Sequence, residues 1–193
     1  MGLRDILFGG GRRLRVPVKR GKGLSAVVGA ALALESEAAA RPAGVAALVF
    51  QPLPTADFES IVAEAEELLK ATGQEFGTRV DSSADSFGYR WLVLQDEDFE
   101  DLVVALEQTA EQLDGAGYGD RLLCALFAFE EQARRIYLIY NFKRGRFYPF
   151  VPATDGERAR DTERELRLKA QLEQELPLEP DLSRWFPLWE IPL

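Results

Sequence analysis

The sequence predicts an α+β fold: a largely antiparallel sheet built from hairpins, with three helices packed on it in the order ββα, ββα, βββα. Three observations carry this. Apolar residues recur at helical spacing in three segments. Strand-like apolar and aromatic runs lie between them in neighbouring groups. Strict strand–helix–strand alternation, the mark of a doubly wound parallel sheet, is missing. A length of 193 residues with 47% hydrophobic content suits one domain with a sizeable core.

In chain order, residues 1–23 read as a basic arm, broken by Gly9, Gly10 and Gly11 and by Pro17. Residues 24–193 read as the single domain. Runs at 31–36 and 45–50 flank Arg41-Pro42-Ala43-Gly44, which reads as a hairpin turn. Phe58, Ile61, Val62, Ala65, Leu68 and Leu69 then repeat at i, i+3, i+4, with Thr55 or Asp57 as cap and Gly73 as stop. A second strand pair is expected at 78–82 and 89–95. The second helix follows from Phe99, Leu102, Val103, Leu106, Ala110 and Leu113, capped by Asp96 or Asp98 and stopped by Gly115. Strands at 122–129, 135–141 and 147–150 come next. The run 122–129 is apolar on both alternating sets, so it belongs in the middle of the sheet with both faces covered. A third helix is expected over 157–176, with Leu168, Leu172 and Leu176 inside, Glu163–Arg167 and Glu165–Lys169 as surface pairs, and Pro177 as terminator. The tail holds Trp185, Phe186, Leu188, Trp189 and Ile191 among prolines, and is expected to wrap onto its own domain, because free tryptophans would expose a large apolar patch.

Charge and composition exclude several functions. The seven cations of residues 1–23 face Asp5 alone, a surplus of six; the net charge of −9 therefore leaves the remainder at −15. An acidic body repels phosphate backbones, which argues against a nucleic-acid partner. The arm, with Leu3, Ile6 and Leu7 as apolar anchors and Arg12, Arg13 and Arg15 as cations, suits peripheral contact with an anionic membrane. With no His and one Cys, imidazole catalysis, Cys-His pairs, intrachain disulfides and paired-cysteine metal sites are all ruled out. Residues 24–34 imitate the apolar part of a signal peptide, but this run is too short to span a bilayer and reads as part of the domain.

The remaining motifs have plain structural readings. Gly21-Lys22-Gly23 lacks the Ser/Thr and the preceding strand of a phosphate loop. Asp96, Glu97, Asp98, Glu100 and Asp101 could bind a hard cation, but they open a helix, where carboxylates cap amides and complement the dipole. Cys124 sits at a core position and reads as a structural thiol. The polar stretch 81–91 reads as a turn with Asx-type caps. The segment 137–150 is the most distinctive: it gathers Lys143, Arg144 and Arg146 at a Gly145 turn among six aromatics. It could stack on bases or grip a protein surface through Arg and Tyr anchors, or it could be a hairpin with core aromatics and solvated cations.

Four stretches carry a family resemblance: Asp-Ser-Phe-Gly-Tyr-Arg-Trp at 85–91, Gly-Tyr-Gly-Asp-Arg at 117–121, Asn-Phe-Lys-Arg-Gly-Arg-Phe-Tyr-Pro-Phe at 141–150 and Arg-Trp-Phe-Pro-Leu-Trp at 184–189. Together with the Met1-Gly2-Leu3 opening, they resemble the PspA-associated proteins called PspAB. The resemblance implies a cytoplasmic accessory protein at the inner face of the membrane, acting with a PspA-like partner in an envelope, phage-shock-type stress response. It brings no catalytic residues and no cofactor. The α+β pattern is also similar to the type III secretion chaperone fold, an analogy of fold alone. The expected partner-binding residues are Lys143, Arg144, Arg146, Tyr148, Trp185 and Trp189, and a homodimer is compatible with this reading. Two alternatives stand beside it: a membrane-surface protein acting through the arm, and an enzyme that uses carboxylates alone.

Overall fold

The computed structural model describes residues 23–153, 158–189, 191 and 192. Their elements are α1 (Ala26–Ala38), β1 (Ala40–Phe50), α2 (Ala56–Phe76), β2 (Arg79–Ala84), β3 (Arg90–Gln95), α3 (Phe99–Gly115), β4 (Leu122–Glu131), β5 (Arg134–Asn141), β6 (Arg146–Phe150) and α4 (Thr162–Leu172). The six strands form one sheet in the order β2-β3-β1-β4-β5-β6, with every neighbouring pair antiparallel. The α+β class stands, and β4 lies in the middle of the sheet as its two apolar sets require.

The first unit is corrected. Residues 31–36 belong to helix α1, so the order among the described residues is αβα, ββα, βββα, with four helices. Val27, Ala30, Ala31 and Leu34 are buried at i, i+3, i+4, i+7. The segment is rich in alanine, the strongest helix former. The expected turn at Arg41–Gly44 lies inside strand β1. There the register against β4 slips between Pro42 and Ala46, so the chain-breaking residues make a bulge. Gly44 takes φ +67°, and its carbonyl accepts the Asp96 amide at 3.0 Å.

The other helices follow their periods with adjusted ends. Thr55 caps α2 by accepting the Phe58 amide at 3.4 Å. That helix runs past Gly73 to a left-handed cap at Gly77. Gly73 is instead a point of close approach, where any Cβ would strike the Thr78 carbonyl. Asp98 caps α3 by accepting the Glu100 and Asp101 amides, so the acidic cluster opens the helix as expected. Helix α4 is shorter than expected, starting at Thr162 after its Asp161 cap and ending at Leu172. Glu163 pairs with Arg167 on its surface. The Glu165–Lys169 pair is corrected: Glu165 is buried, with its carboxylate turned to Arg160 and the Val151 amide.

Strand alternation divides the core into two layers. Leu48, Phe50, Leu92, Leu94, Phe127, Phe129 and Leu138 face the four helices. Ala47, Val49, Trp91, Val93, Cys124, Leu126 and Ile139 face the other way and pack with Trp185, Leu188, Trp189 and Ile191 of the tail. The tail therefore does wrap onto its own domain.

The α1 correction can be tested directly. A strand would put Leu32 and Leu34 on one face; the helix leaves Leu32 68% exposed and Leu34 1% exposed. Leu34→Ala is expected to cost about 2–5 kcal/mol in urea unfolding, and Leu32→Ala to stay within about 0.5 kcal/mol of wild type.

Candidate functional site: the basic turn and the aromatic tail

The turn between β5 and β6 is built for tight geometry. Gly145 takes φ +63°, and its amide donates to the Asn141 carbonyl at 2.8 Å. The Asn141 side chain accepts the Arg144 amide at 3.2 Å. This turn delivers Arg144 and Arg146 to the incoming tail.

The tail meets the outer edge of β6. The Phe147 amide donates to the Pro177 carbonyl at 3.0 Å, and the Glu179 amide donates to the Phe147 carbonyl at 2.8 Å. Arg146 donates to the Leu178 carbonyl at 3.0 Å. The Arg144 Nε donates to the Glu179 Oε2 at 2.9 Å, and Glu179 is buried. The edge that β6 would present to solvent is thus covered by the chain itself.

Beyond Glu179 the chain turns inward. Asp181 caps a 3-10 turn at Leu182–Arg184 and accepts from the Arg184 Nε at 2.9 Å. The Trp185 indole N–H donates to the Glu179 carbonyl at 3.0 Å, and its ring stacks on Tyr148 at 6.3 Å. The Tyr148 hydroxyl donates to the Phe186 carbonyl at 3.1 Å. Arg160 grips Glu165 through Nε at 2.9 and 3.0 Å, reaches the Trp185 carbonyl with a second nitrogen at 2.7 Å, and lies 5.7 Å from the Phe150 ring centre. Trp189 meets Phe150 edge to face at 5.1 Å.

The expected partner-binding residues are therefore brought together, but they divide by burial. Tyr148 and Trp185 are inside and Trp189 is half-buried, whereas Lys143, Arg144 and Arg146 are exposed. Leu182 and the 58%-exposed Phe186 of the tail are exposed as well and lie outside the expected partner-binding set. Only the Trp-Phe-Pro block around Phe186 could have pointed to it. Leu3, Ile6, Leu7, Arg12, Arg13 and Arg15, expected at a membrane, lie outside the described residues.

Electrostatics follow the same division. Burial pushes the Cys124 thiol up to about 12, which leaves it protonated at neutral pH. Burial also raises Glu165, against hydrogen bonds from Arg160 and the Val151 amide. For Glu179, burial pushes upward, but hydrogen bonds from Arg144 and the Asp181 amide and the charges of Arg144 and Arg184 outweigh it, and the carboxyl is lowered. A separate open groove of about 1000 Å³ lies between the end of α1, the β4–β5 turn and α4. Its arginines are held by acids of the fold: Arg134 by Asp161, Arg164 by Glu131 and Arg167 by Glu163. Among the described residues, no group of three or more His, Cys, Asp or Glu side chains could hold a metal ion, and no helix is long and apolar enough to cross a membrane.

The fold and its surface define a sheet-and-helix domain whose candidate site is a surface rim of cations and aromatics, organised by the chain's own tail. The chain belongs to the PspAB family, PspA associated protein B, whose family model matches residues 1–193. No curated protein and no solved structure matches it.

The Arg144–Glu179 pair yields two predictions. Arg144→Ala leaves a buried carboxylate unpaired, and is expected to cost about 1–3 kcal/mol in urea unfolding, more than Glu179→Gln. Because the Glu179 carboxyl is lowered, its stabilising contribution is present above the unfolded value of about 4.3 and is lost as pH falls through the folded value. Urea midpoints measured from pH 7 to 3 should fall less steeply for Glu179→Gln than for wild type.

Proposed function

We propose that this chain is a non-enzymatic accessory protein that binds a PspA-type partner in an envelope, phage-shock-type stress response, in the cytoplasm at the inner face of the membrane. The observation that carries the reading is the family match over residues 1–193, whose description names association with PspA. The contact surface is the rim formed by Lys143, Arg144 and Arg146 with Leu182, Phe186 and the outer part of Trp189. Tyr148 and Trp185 act from beneath by fixing that rim. Exposed aromatic and arginine side chains around an ordered patch are the residue types that dominate protein interfaces. The buried carboxylates also support binding over catalysis: Glu165 and Glu179 are each held by an arginine, Arg160 and Arg144.

A second reading rests on the charge asymmetry between residues 1–23 and the acidic remainder. In it the arm adds reversible contact with anionic lipid, at about 1 kcal/mol per cation near the surface. Flotation with anionic and neutral vesicles decides this: equal binding to both, or no loss on deleting the arm, rules it out.

The main reading is tested by recovery of the cognate PspA-type protein on the immobilised chain, with and without membranes. Lys143→Glu combined with Phe186→Ala should lower the affinity at least about tenfold, or about 1.4 kcal/mol, while circular dichroism stays unchanged. Recovery no better than background with the wild-type chain would sink the reading.

A further inference from the structure

We propose that residues 185–189 with 191 and 192 form a displaceable strap over the second face of the sheet, and that the uncovered face takes a partner segment offering two bulky apolar side chains four residues apart, as Trp185 and Trp189 do. The first part stands on how the strap is held. Up to Glu179 the tail is tied by backbone hydrogen bonds to β6 and by the Arg144–Glu179 pair. Beyond Trp185 the described residues make no backbone–backbone hydrogen bond. The strap is held instead by the Trp185 indole N–H on the Glu179 carbonyl and its ring on Tyr148, the Tyr148 hydroxyl on the Phe186 carbonyl, Arg160 on the Trp185 carbonyl, and apolar contact by Leu188, Trp189 and Ile191. Pro187 and Pro192 have no amide to give. A segment held this way belongs to the low end of local stability and opens without unfolding the sheet.

The second part stands on what lies beneath. Val49, Trp91, Val93, Cys124, Leu126 and Ile139 form one continuous buried layer with Trp185. A layer of that size does not stay bare in water, so the strap opens only transiently on its own and lasting displacement must be coupled to replacement. The strap itself shows what fits: one ring stacked on Tyr148 and a second set edge-on against Phe150. The segment would come from the PspA-type partner, and for that identity alone the proposal rests on the function proposed above.

Cys124 is a native reporter. It belongs to the buried layer, so an added aromatic disulfide reagent reaches it readily only when the cover lifts. The experiment measures Cys124 labelling of the full chain across sub-denaturing urea, alone and with a synthetic peptide of residues 182–193. The expected results are a labelling rate almost independent of urea, at least a tenfold faster rate in Trp185→Ala/Trp189→Ala, and at least threefold protection by the peptide. A peptide with both tryptophans changed to alanine should not protect. Leu34→Ala, which destabilises the domain away from the tail, controls for global loss. If labelling follows the full urea slope of global unfolding, or if Leu34→Ala speeds it as much as the tail variant does, the strap is overturned. If the strap opens but the peptide gives no protection, the two-anchor occupant is overturned. Protection that grows with protein concentration alongside a dimer on sizing would make a second copy the occupant and overturn a separate partner. Success with the peptide and failure of the PspA-type recovery would remove the partner's identity and leave the strap standing.

Discussion

The structure depends on a sheet that is apolar on both faces. In β4, Cys124, Leu126 and Ala128 point one way, and Ala125, Phe127 and Phe129 point the other, and all six are buried. One cover is not enough for such a strand, since each large side chain left in water forfeits about 1.5–3 kcal/mol of burial. Four helices supply the first cover. The second comes from Trp185, Leu188, Trp189 and Ile191 of the tail, which explains why large apolar side chains recur there. The layers also differ in kind. The helical layer is reinforced by backbone hydrogen bonds within each helix, whereas the tail has no regular ladder beyond its contact with β6.

Two buried carboxylates direct the chain between these layers. Glu165 accepts the Val151 amide just after β6 ends and holds Arg160, which in turn holds the Trp185 carbonyl. Glu179 receives Arg144 from the β5–β6 turn at the point where the tail arrives. Burying a charge costs several kcal/mol, and a pair recovers that only with good geometry and extra hydrogen bonds. Both carboxylates meet that condition, each bonded to an arginine and a backbone amide, Val151 for Glu165 and Asp181 for Glu179. Their contribution is therefore to fix one path for the tail, more than to add net stability.

Much of this was legible in the sequence, and the misses share a cause. The periods of α2 and α3, their Thr55 and Asp98 caps, the double apolar register of β4, the Gly145 turn and the inward tail all follow from local pattern. The α1 segment failed because an apolar run with few polar markers satisfies a strand period and a helical period at once; alanine content was the deciding signal. Arg41-Pro42-Ala43-Gly44 failed because proline and glycine mark a bulge as readily as a turn, and only the partner strand distinguishes them. Glu165 failed because a charged residue at surface spacing says nothing about an arginine five residues upstream that turns it inward. At the site, the expected side chains could not be sorted by depth from the sequence, since Tyr148 and Trp185 differ from Phe186 only through their partners in space.

That sorting determines how a partner would be oriented. Helices α2 and α3 carry Asp57, Glu59, Glu64, Glu66, Glu67, Glu100, Asp101, Glu107, Glu111 and Asp114 with Lys70 as their one described cation. Arg90 from β3 neutralises part of this by holding Glu59 and Glu66, and most of the remainder faces solvent. The rim at the β5–β6 turn is cationic instead, and among the described residues Lys143 has no ion-pair partner there. Under the proposed binding reading, a partner with an acidic patch would be drawn to the rim and repelled from the helical side, so charge would select one approach before any apolar contact forms. The rim borders the tail, so the favoured approach leads directly to the least securely covered part of the sheet. Electrostatic steering and the weakness of the second cover thus converge on one edge of the molecule, the edge where β6 meets the tail.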